Sequence, residues 1–412
     1  METKKLLEEA KADAPRITAD RRLIHAHPGT GFDIPYSVEF VTKELRALGY
    51  DPQPCGKAGV VALAGGKKPG KVFMIRADMD ALPIEEESGV SFCSQNPGKM
   101  HACGHDMHTA MLLEAARLLK KHEDEICGTI KLMFQPAEEI FQGSDDMIKA
   151  GVLENPHVDA ALMIHVTAVM PFTPGTVIAC DPGVSAAACD SYDITVEGKG
   201  CHGSMPNQGI DPIVAASTMI TALQEIQARE IAINDEAVMT VGYFKSGNAN
   251  NVIPNTAKFG GTIRTFDEHL RGDLKKRLEE IVTGIGTAYR TQTTVSWSGG
   301  CPTLYNDPAL AQCIPKYVRE LLGENGCFTV SQLNALSGNA KPQKGTASED
   351  FAFVSRQVPS LMLALAAGTP ADGYIYPQHH AKVRFDEACL PGGSAVYVYT
   401  AMRWLEDHTD EE

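Results

Sequence analysis

Residues 72–80 read VFMIRADMD, a short apolar run that ends in two carboxylates. Similar runs at residues 60–64, 129–134 and 160–165 alternate with helical patterns at residues 109–122 and 144–150. Near-continuous apolar strands separated by helices are typical of an α/β layer whose sheet is largely parallel. The sequence therefore predicts an α/β fold with a mostly parallel central sheet.

The pattern changes at about residue 188 and changes back at about residue 300. Between these points the order strand, helix, strand, strand, helix, strand is that of the split βαβ, or ferredoxin-like, arrangement. We therefore predict one α/β domain in two parts, residues 1–187 and 300–412, interrupted by an inserted domain at residues 188–299.

Composition excludes several classes of protein. The 412 residues carry 37 Lys and Arg against 52 Asp and Glu, a formal net charge of −15, whereas nucleic-acid binding needs a basic face. No apolar stretch approaches the roughly 20 residues of a membrane span, and no signal-peptide core is found near Met1. We expect a cytoplasmic protein with neither a nucleic-acid nor a membrane partner. Its eleven cysteines form no C-x-x-C pair, which indicates reduced thiols.

The densest run of metal-capable side chains is MHACGHDMH, residues 100–108. We predict a loop here, just before a helix, in which several side chains converge. Thiolate and imidazole suit zinc and similar divalent ions. Because only one thiol is near, further ligands must come from distant segments, which is typical of catalytic sites. A capped helix start with solvated histidines is the alternative, and His122, His157, His269 and His408 are expected to be solvated.

Acidic and imidazole residues also follow three of the predicted strands: Asp78 with Asp80, Glu138 with Glu139, and His165. The carboxyl ends of strands form the ligand edge of an open α/β sheet. Adjacent residues of an extended segment point to opposite sides. We therefore predict that one glutamate binds metal while its neighbour faces substrate, where it can move a proton from water to a leaving amine.

These segments belong to a longer series that runs in a constant order from about residue 20 to residue 390. The series is RADMDALPI, MHACGHDMHTA, FQPAEE, GKGCHGSMPNQGIDPI, NANNVIP, GTIRTF, SEDF and the late His379. It resembles the metal-dependent N-acyl-amino-acid amidohydrolases among the aminoacylase and carboxypeptidase-type metallopeptidases. That branch contains hippurate hydrolase, auxin-conjugate hydrolase and N-acetyldiaminopimelate deacetylase.

The resemblance implies hydrolysis of the amide bond of an N-acyl-L-amino acid by a water that two divalent ions activate. The implied metal ligands are Cys103, His105, Glu139, His165 and His379. Glu138 is the implied general base, and His202 is implied to stabilise the oxyanion from across a dimer interface. Asn251 and Arg264 are implied to hold the substrate. Zinc is the favoured ion, with manganese, cobalt and nickel as alternatives.

The resemblance further implies that the α/β domain is catalytic and that the inserted domain is a ferredoxin-like dimerisation lid, so that we expect a homodimer. The chain departs from the family at Met107 and Cys201, where glycine is usual, and these changes bear on substrate specificity. His379 and His380 are adjacent, and we choose His379 as the last ligand because its distance to residues 386–387 fits the family spacing.

Three other functions are alternatives. A dipeptidase or carboxypeptidase of the same family cleaves the same kind of bond, and the motifs do not separate it from an amidohydrolase. A non-catalytic metal-binding protein would need neither Glu138 nor His202. Residues 198–203, GKGCHG, satisfy the dinucleotide pattern G-x-G-x-x-G, but a loop follows where that pattern requires a helix. A nicotinamide dehydrogenase is therefore disfavoured.

Overall fold

The computed structural model describes residues 1–336 and 344–409. The chain divides into two compact units. The main unit comprises residues 1–185, 305–343 and 350–412, and the inserted unit comprises residues 186–304 and 344–349. The short segment 344–349 thus returns to the inserted unit long after the chain has left it.

The described residues form eleven α-helices and sixteen β-strands. The helices are α1 Thr3–Ala12, α2 Ala14–Ala26, α3 Pro35–Ala47, α4 His105–Lys121, α5 Gly143–Lys149, α6 Pro212–Glu225, α7 Glu268–Tyr289, α8 Pro308–Leu322, α9 Val330–Leu336, α10 Ala352–Ser355 and α11 Leu390–Asp407. The strands are β1 Gln53–Cys55, β2 Gly59–Gly65, β3 Val72–Asp78, β4 Thr129–Gln135, β5 Ala160–Thr167, β6 Val177–Ala179, β7 Gly183–Ala186, β8 Ala188–Glu197, β9 Cys201–His202, β10 Ala237–Ser246, β11 Val252–Ile253, β12 Thr256–Thr265, β13 Gln292–Cys301, β14 Leu304–Asn306, β15 Cys327–Thr329 and β16 Ser360–Ala366.

The main unit is built on an eight-stranded sheet in the order β1-β2-β4-β3-β5-β16-β6-β15. Strand β3 runs parallel to both of its neighbours, β4 and β5, and β5 runs parallel to β16. All seven residues of β3 are buried, as expected for a strand with both faces covered. The predicted α/β fold with a mixed, mostly parallel sheet is confirmed.

Helix α4 lies in the core of the main unit and packs against α11, α2 and β3. Its residues from His105 to Leu119 are all buried. A helix that is buried all round is held by packing on every side, so that its first turn is a fixed platform for side chains.

The inserted unit has a four-stranded antiparallel sheet in the order β10-β12-β8-β13. Helices α6 and α7 pack against each other and against this sheet. Tyr192, Leu223, Phe259 and Leu278 belong to their common core. This is the ferredoxin-like order, and the predicted second part of the fold class is also confirmed.

Two details of the main unit bear on expectations from the sequence. The expectation that His122 is solvated is wrong: the ring is buried, with Glu9 2.8 Å from Nε2 and Glu125 2.6 Å from Nδ1.

All eleven cysteines are free thiols. Among the helices of residues 1–336 and 344–409, none combines the length and apolar character needed to cross a bilayer.

Candidate metal centre

The segment before α4 is shaped by Gly104. Its φ of 96° lies in the left-handed region, and an added Cβ would come within 2.4 Å of Cγ2 of Val166. Only glycine suits such a position. The helix starts at His105, four residues earlier than the apolar pattern predicts. The Nδ1–H group of His105 donates to the carbonyl of Asp80 at 2.9 Å, so Nε2 is the ring nitrogen that remains for a metal ion.

Glu138 and Glu139 do not lie in an extended segment, so the sequence-based reason for their opposite directions is wrong. They form a 3-10 turn between Ala137 and Phe141, both of which have positive φ, 57° and 54°. Asp80 holds this turn, because its two carboxylate oxygens accept the backbone N–H groups of Glu138 at 3.1 Å and Glu139 at 3.2 Å. The 3-10 turn held by Asp80, rather than strand alternation, therefore positions the two glutamates.

The structure brings the five predicted ligands together in the main unit. Donor atoms of Cys103, His105 and His165 lie within 4.8 Å of one another, as do those of Cys103, Glu139 and His379. Cys103 belongs to both groups, and its Sγ is 3.5 Å from Nε2 of His165. Glu138, predicted as the general base, lies 4.0 Å from Nε2 of His105.

The last predicted ligand stands on strained backbone. His379 has a φ of 65°, and its N–H donates to the carbonyl of Ala102 at 3.0 Å. Its Nε2 is 3.7 Å from Glu139. The adjacent His380 instead stacks on Tyr376 with ring centroids 4.5 Å apart. A non-glycine residue held at positive φ is typical of a functional position.

Burial controls the protonation of the cluster. It raises the pKa of the Cys103 thiol well above its ordinary value, raises the pKa of Glu139 to about 7 and lowers the pKa of His165 to about 3. Burial also opposes a charge on His105, but Asp78 nearby raises the pKa of that imidazole well above its usual range. Desolvation thus disfavours the anionic forms of the thiol and carboxylate that a metal ion needs, and a bound cation reverses this preference.

The residues present fit such an ion. Nε2 of His105 and Oε1 of Glu139 are buried and have no hydrogen-bond partner among the residues that the structure describes. Buried polar atoms are normally paired, so two unpaired atoms aimed into one cluster indicate a missing partner. One thiol, three imidazoles and a carboxylate are the donor types of zinc and related divalent ions.

A buried polar network, which the sequence pattern did not predict, lies beside the cluster. Arg76 donates to Asp78 at 2.7 Å, to Gln135 at 2.8 Å and to Asp350 at 3.0 Å. Burial alone would raise the pKa of Asp78, but Arg76 and the neighbouring imidazoles hold it well below its usual range. The N–H of Asp350 donates to Glu138 at 3.3 Å. The one signal of this network in the sequence was Arg76, which lies within an apolar run. An arginine in such a run is expected to be buried, and a buried arginine is rarely found without a partner.

Two predicted site residues lie close together in the inserted unit. Strand β9, which contains His202, pairs with β11, and Gly203 donates to the carbonyl of Asn251 at 2.8 Å. Nδ1 of His202 accepts the backbone N–H of Ser204 at 3.1 Å. The ring proton is therefore on Nε2, which leaves a donor on the exposed edge of the imidazole. Residues 198–203 lead into β9 and open no helix, unlike a dinucleotide-binding turn.

Arg264 is not near His202 within the inserted unit. It lies towards the end of β12, and its guanidinium donates to Ser348 at 3.0 Å and to the carbonyl of Thr346 at 3.2 Å. Thr256, at the other end of β12, is eight residues away, or about 26 Å at roughly 3.3 Å per residue. His202 lies beyond that end.

The two departures from the family pattern have different surroundings. Met107 is completely buried in the core of the main unit. Cys201 is partly exposed next to His202, and its thiol lies 3.4 Å from the carbonyl of Met205.

The chain is similar to several known proteins. A family model described as "Peptidase family M20/M25/M40" matches residues 74–403. An N-acyl-L-amino acid amidohydrolase of Geobacillus stearothermophilus is 42% identical over 290 residues, which are 70% of this chain and 76% of that protein. An N-acetyl-L-cysteine deacetylase of Bacillus subtilis is 35% identical over 392 residues, 95% of this chain and 88% of that protein. The crystal structure of the B. subtilis YXEP protein, described as a dinuclear metal binding peptidase from the M20 family, has a TM-score of 0.75 at 29% identity and covers 96% of this chain and 99% of that one.

The family model spans well over half of the chain, and the relatives cover most of its length. The family resemblance found in the sequence is therefore confirmed, and so is the expectation of an enzyme, a metal-dependent amidohydrolase by class. The chain belongs to the peptidase family M20/M25/M40.

Proposed function

We propose that the protein hydrolyses the amide bond of N-acyl-L-amino acids, releasing a carboxylic acid and a free amino acid. The observation that carries the proposal is the position of Glu138, a buried carboxylate beside five converging metal donors. The amidohydrolase and deacetylase names of the relatives support the same reaction class.

Cys103, His105, Glu139, His165 and His379 would hold two divalent ions, of which zinc suits the thiol and imidazole donors best. Bound there, such ions supply Lewis acidity that polarises the scissile carbonyl and acidifies a water. Cys103 belongs to both donor groups, so its thiolate would contribute to holding an ion in either of them. Replacing Cys103 by Ala should therefore lower the metal content and abolish turnover together, and normal values for both would contradict this ligand set.

Glu138 acts as the proton carrier. One oxygen of its carboxylate accepts the N–H of Asp350 at 3.3 Å, and the other lies on the side of His105. A carboxylate held in this way takes a proton from the attacking water and hands it to the departing amine. The side chain is 7% exposed, so bulk water does not compete for the proton.

His202 stabilises the developing oxyanion. Its Nδ1 is occupied by Ser204, so Nε2–H is the available donor, as an oxyanion requires. Asn251, joined to the same strand pair, assists in holding the substrate. Arg264 binds the substrate carboxylate through its planar fork.

These roles require a homodimer through the inserted unit. More than about 26 Å along β12 separates Arg264 from His202, far beyond the reach of one small substrate. A second copy of the chain can supply the missing His202. Co-expression of a Cys103→Ala chain with a His202→Ala chain should restore about a quarter of wild-type activity, because half of randomly paired dimers then carry one complete site. No recovery in verified mixed dimers would show that His202 acts within its own chain.

The reaction is tested by amine release from acetyl-, benzoyl- and long-chain-acyl amino acids after metal analysis of the purified protein. Release from at least one class is expected, and Glu138→Gln should abolish it while retaining the metal. Free dipeptides form the second arm of the panel. Cleavage of dipeptides alone would favour the peptidase function instead, and cleavage of neither by the metal-loaded protein would contradict both.

A further inference from the structure

The backbone of Val166 is held on both sides of its Cα. Its N–H, part of the peptide group that follows His165, donates to Nε2 of His108 at 2.8 Å. Its carbonyl, part of the next peptide group, accepts Nδ1–H of His165 at 2.7 Å and the side-chain amide of Gln378 at 3.0 Å. Two successive peptide groups, joined at the Cα of Val166, thus contact His165, the first turn of α4 and the residue that precedes His379.

These contacts fix the protonation of His108. A backbone N–H can only donate, so Nε2 of His108 must be unprotonated and Nδ1 must carry the proton. That Nδ1–H donates to Asp78, whose oxygen is 2.5 Å away. Asp78 is in turn held by Arg76 at 2.7 Å, and all three side chains are completely buried. The direction of every hydrogen bond from Arg76 to Val166 is therefore determined.

The orientation of His165 depends on the backbone of the same residue. With Nδ1–H bound to the Val166 carbonyl, Nε2 is unprotonated and faces Sγ of Cys103 at 3.5 Å. If the backbone turned at Val166, where His108 holds the N–H, the carbonyl would move and the ring of His165 would lose its hydrogen bond and its direction. Gln378 would also lose its acceptor, and with it the segment that places His379.

We propose that His108 is a positioning residue that orients His165 and His379 through the backbone of Val166 without touching the metal or the substrate. The proposal rests on the ligand set of the proposed function. Groups that orient metal-ligating histidines typically change metal affinity by about 10- to 100-fold when they are removed. His108→Phe, which keeps a ring of similar size but neither hydrogen bond, should weaken zinc binding by that amount. His108→Gln, which retains one donor and one acceptor, should restore most of it.

The test measures zinc affinity by competition with a chelator and records the absorption of the Co²⁺-loaded protein, in which the thiolate of Cys103 and the ligand geometry are visible. His122→Phe is the matched control, because His122 is also buried between polar partners and follows the opposite end of α4. We expect weaker binding and an altered Co²⁺ spectrum for His108→Phe only. Unchanged affinity and spectrum in that variant would overturn the proposal, as would an equal loss in His108→Gln, since packing would then explain both.

If His108→Phe does not fold, ¹⁵N-histidine NMR of the wild-type protein tests the proposal by showing which ring nitrogen of His108 carries the proton. The His108 signals are assigned by their absence from the spectrum of the His108→Gln variant. The proposal requires a neutral ring with its proton on Nδ1, and an imidazolium or a proton on Nε2 contradicts it. Because these readouts are metal binding and protonation, they remain valid if the protein cleaves none of the amides tested. If the wild-type protein binds no divalent ion, the ligand set of the proposed function fails first.

Discussion

Replacing Asp80 by Asn tests how the two glutamates of the candidate site are held. The completely buried Asp80 carboxylate accepts one backbone N–H from Glu138 and one from Glu139, at 3.1 and 3.2 Å. Asparagine has the same shape, but it offers one oxygen and one NH2 group. One of the two backbone donors then faces another donor, and the turn loses a hydrogen bond to a charged acceptor.

The size of the effect follows from that single loss. Losing one hydrogen bond to a charged group, with its buried donor left unpaired, costs about 1.5–3 kcal/mol in total. Because each 1.4 kcal/mol is about a factor of ten, the properly formed turn should become about 10- to 100-fold less populated. Glu138 moves with the turn, so we expect kcat to fall by the same factor.

The effect on kcat is measured by steady-state kinetics of amine release. Metal analysis and circular dichroism of the same preparations report the metal content and the folding of the variant. Asp33→Asn is the matched control, because the Asp33 side chain is 78% exposed and pairs with Lys99 at the surface. We expect a lower kcat for Asp80→Asn and wild-type values for the control. A kcat within about twofold of wild type, with normal metal content, would refute the reasoning.

Three further predictions concern separate parts of the chain. His202→Ala should lower kcat about 100-fold or more at unchanged metal content, since an oxyanion donor contributes about 3–4 kcal/mol; full activity would contradict its role. Gly104→Ala places a Cβ 2.4 Å from Val166 at a position of positive φ, so thermal unfolding should show a loss of stability of about 1–3 kcal/mol. The control is Gly151→Ala, where φ is also positive but the space around the Cβ is open, and its loss should be smaller. Burial raises the pKa of Glu114 from 4.5 to about 7, so the stability that it contributes is full below pH 4.5 and is lost as pH rises through 7. In urea unfolding, the free energy of unfolding of Glu114→Gln minus that of the wild type should therefore rise by on the order of 2 kcal/mol between pH 5 and pH 8. A difference that does not change with pH would contradict the raised pKa.

The sequence predicted the elements that depend on local patterns. The apolar runs at β3, β4 and β5 are strands, and the strand-helix order after residue 188 is the ferredoxin-like unit. The carboxyl ends of those three parallel strands do bring Asp78, Gln135 and the segment around His165 together. Strand periodicity and the parallel order were sufficient for this, because both are properties of neighbouring residues and of chain connectivity.

The expectations that failed depended on distant partners. His122 carries charged neighbours in sequence yet is buried, because Glu9 of α1 reaches it. Glu138 and Glu139 were expected in an extended segment, but Asp80, almost sixty residues earlier, holds them in a 3-10 turn. No local pattern contains that information.

The sequence by itself determined the fold class, the family and which side chains can bind a metal ion, since residue type and spacing carry those properties. Only the tertiary structure decided how the side chains are aimed. The directions of the donor atoms are set by the backbone of Val166, by the Asp80 carboxylate and by the left-handed backbone of Gly104 and His379. Hydrogen bonds between segments that are far apart in the chain fix these directions, and such bonds form only once the sheet and α4 have packed.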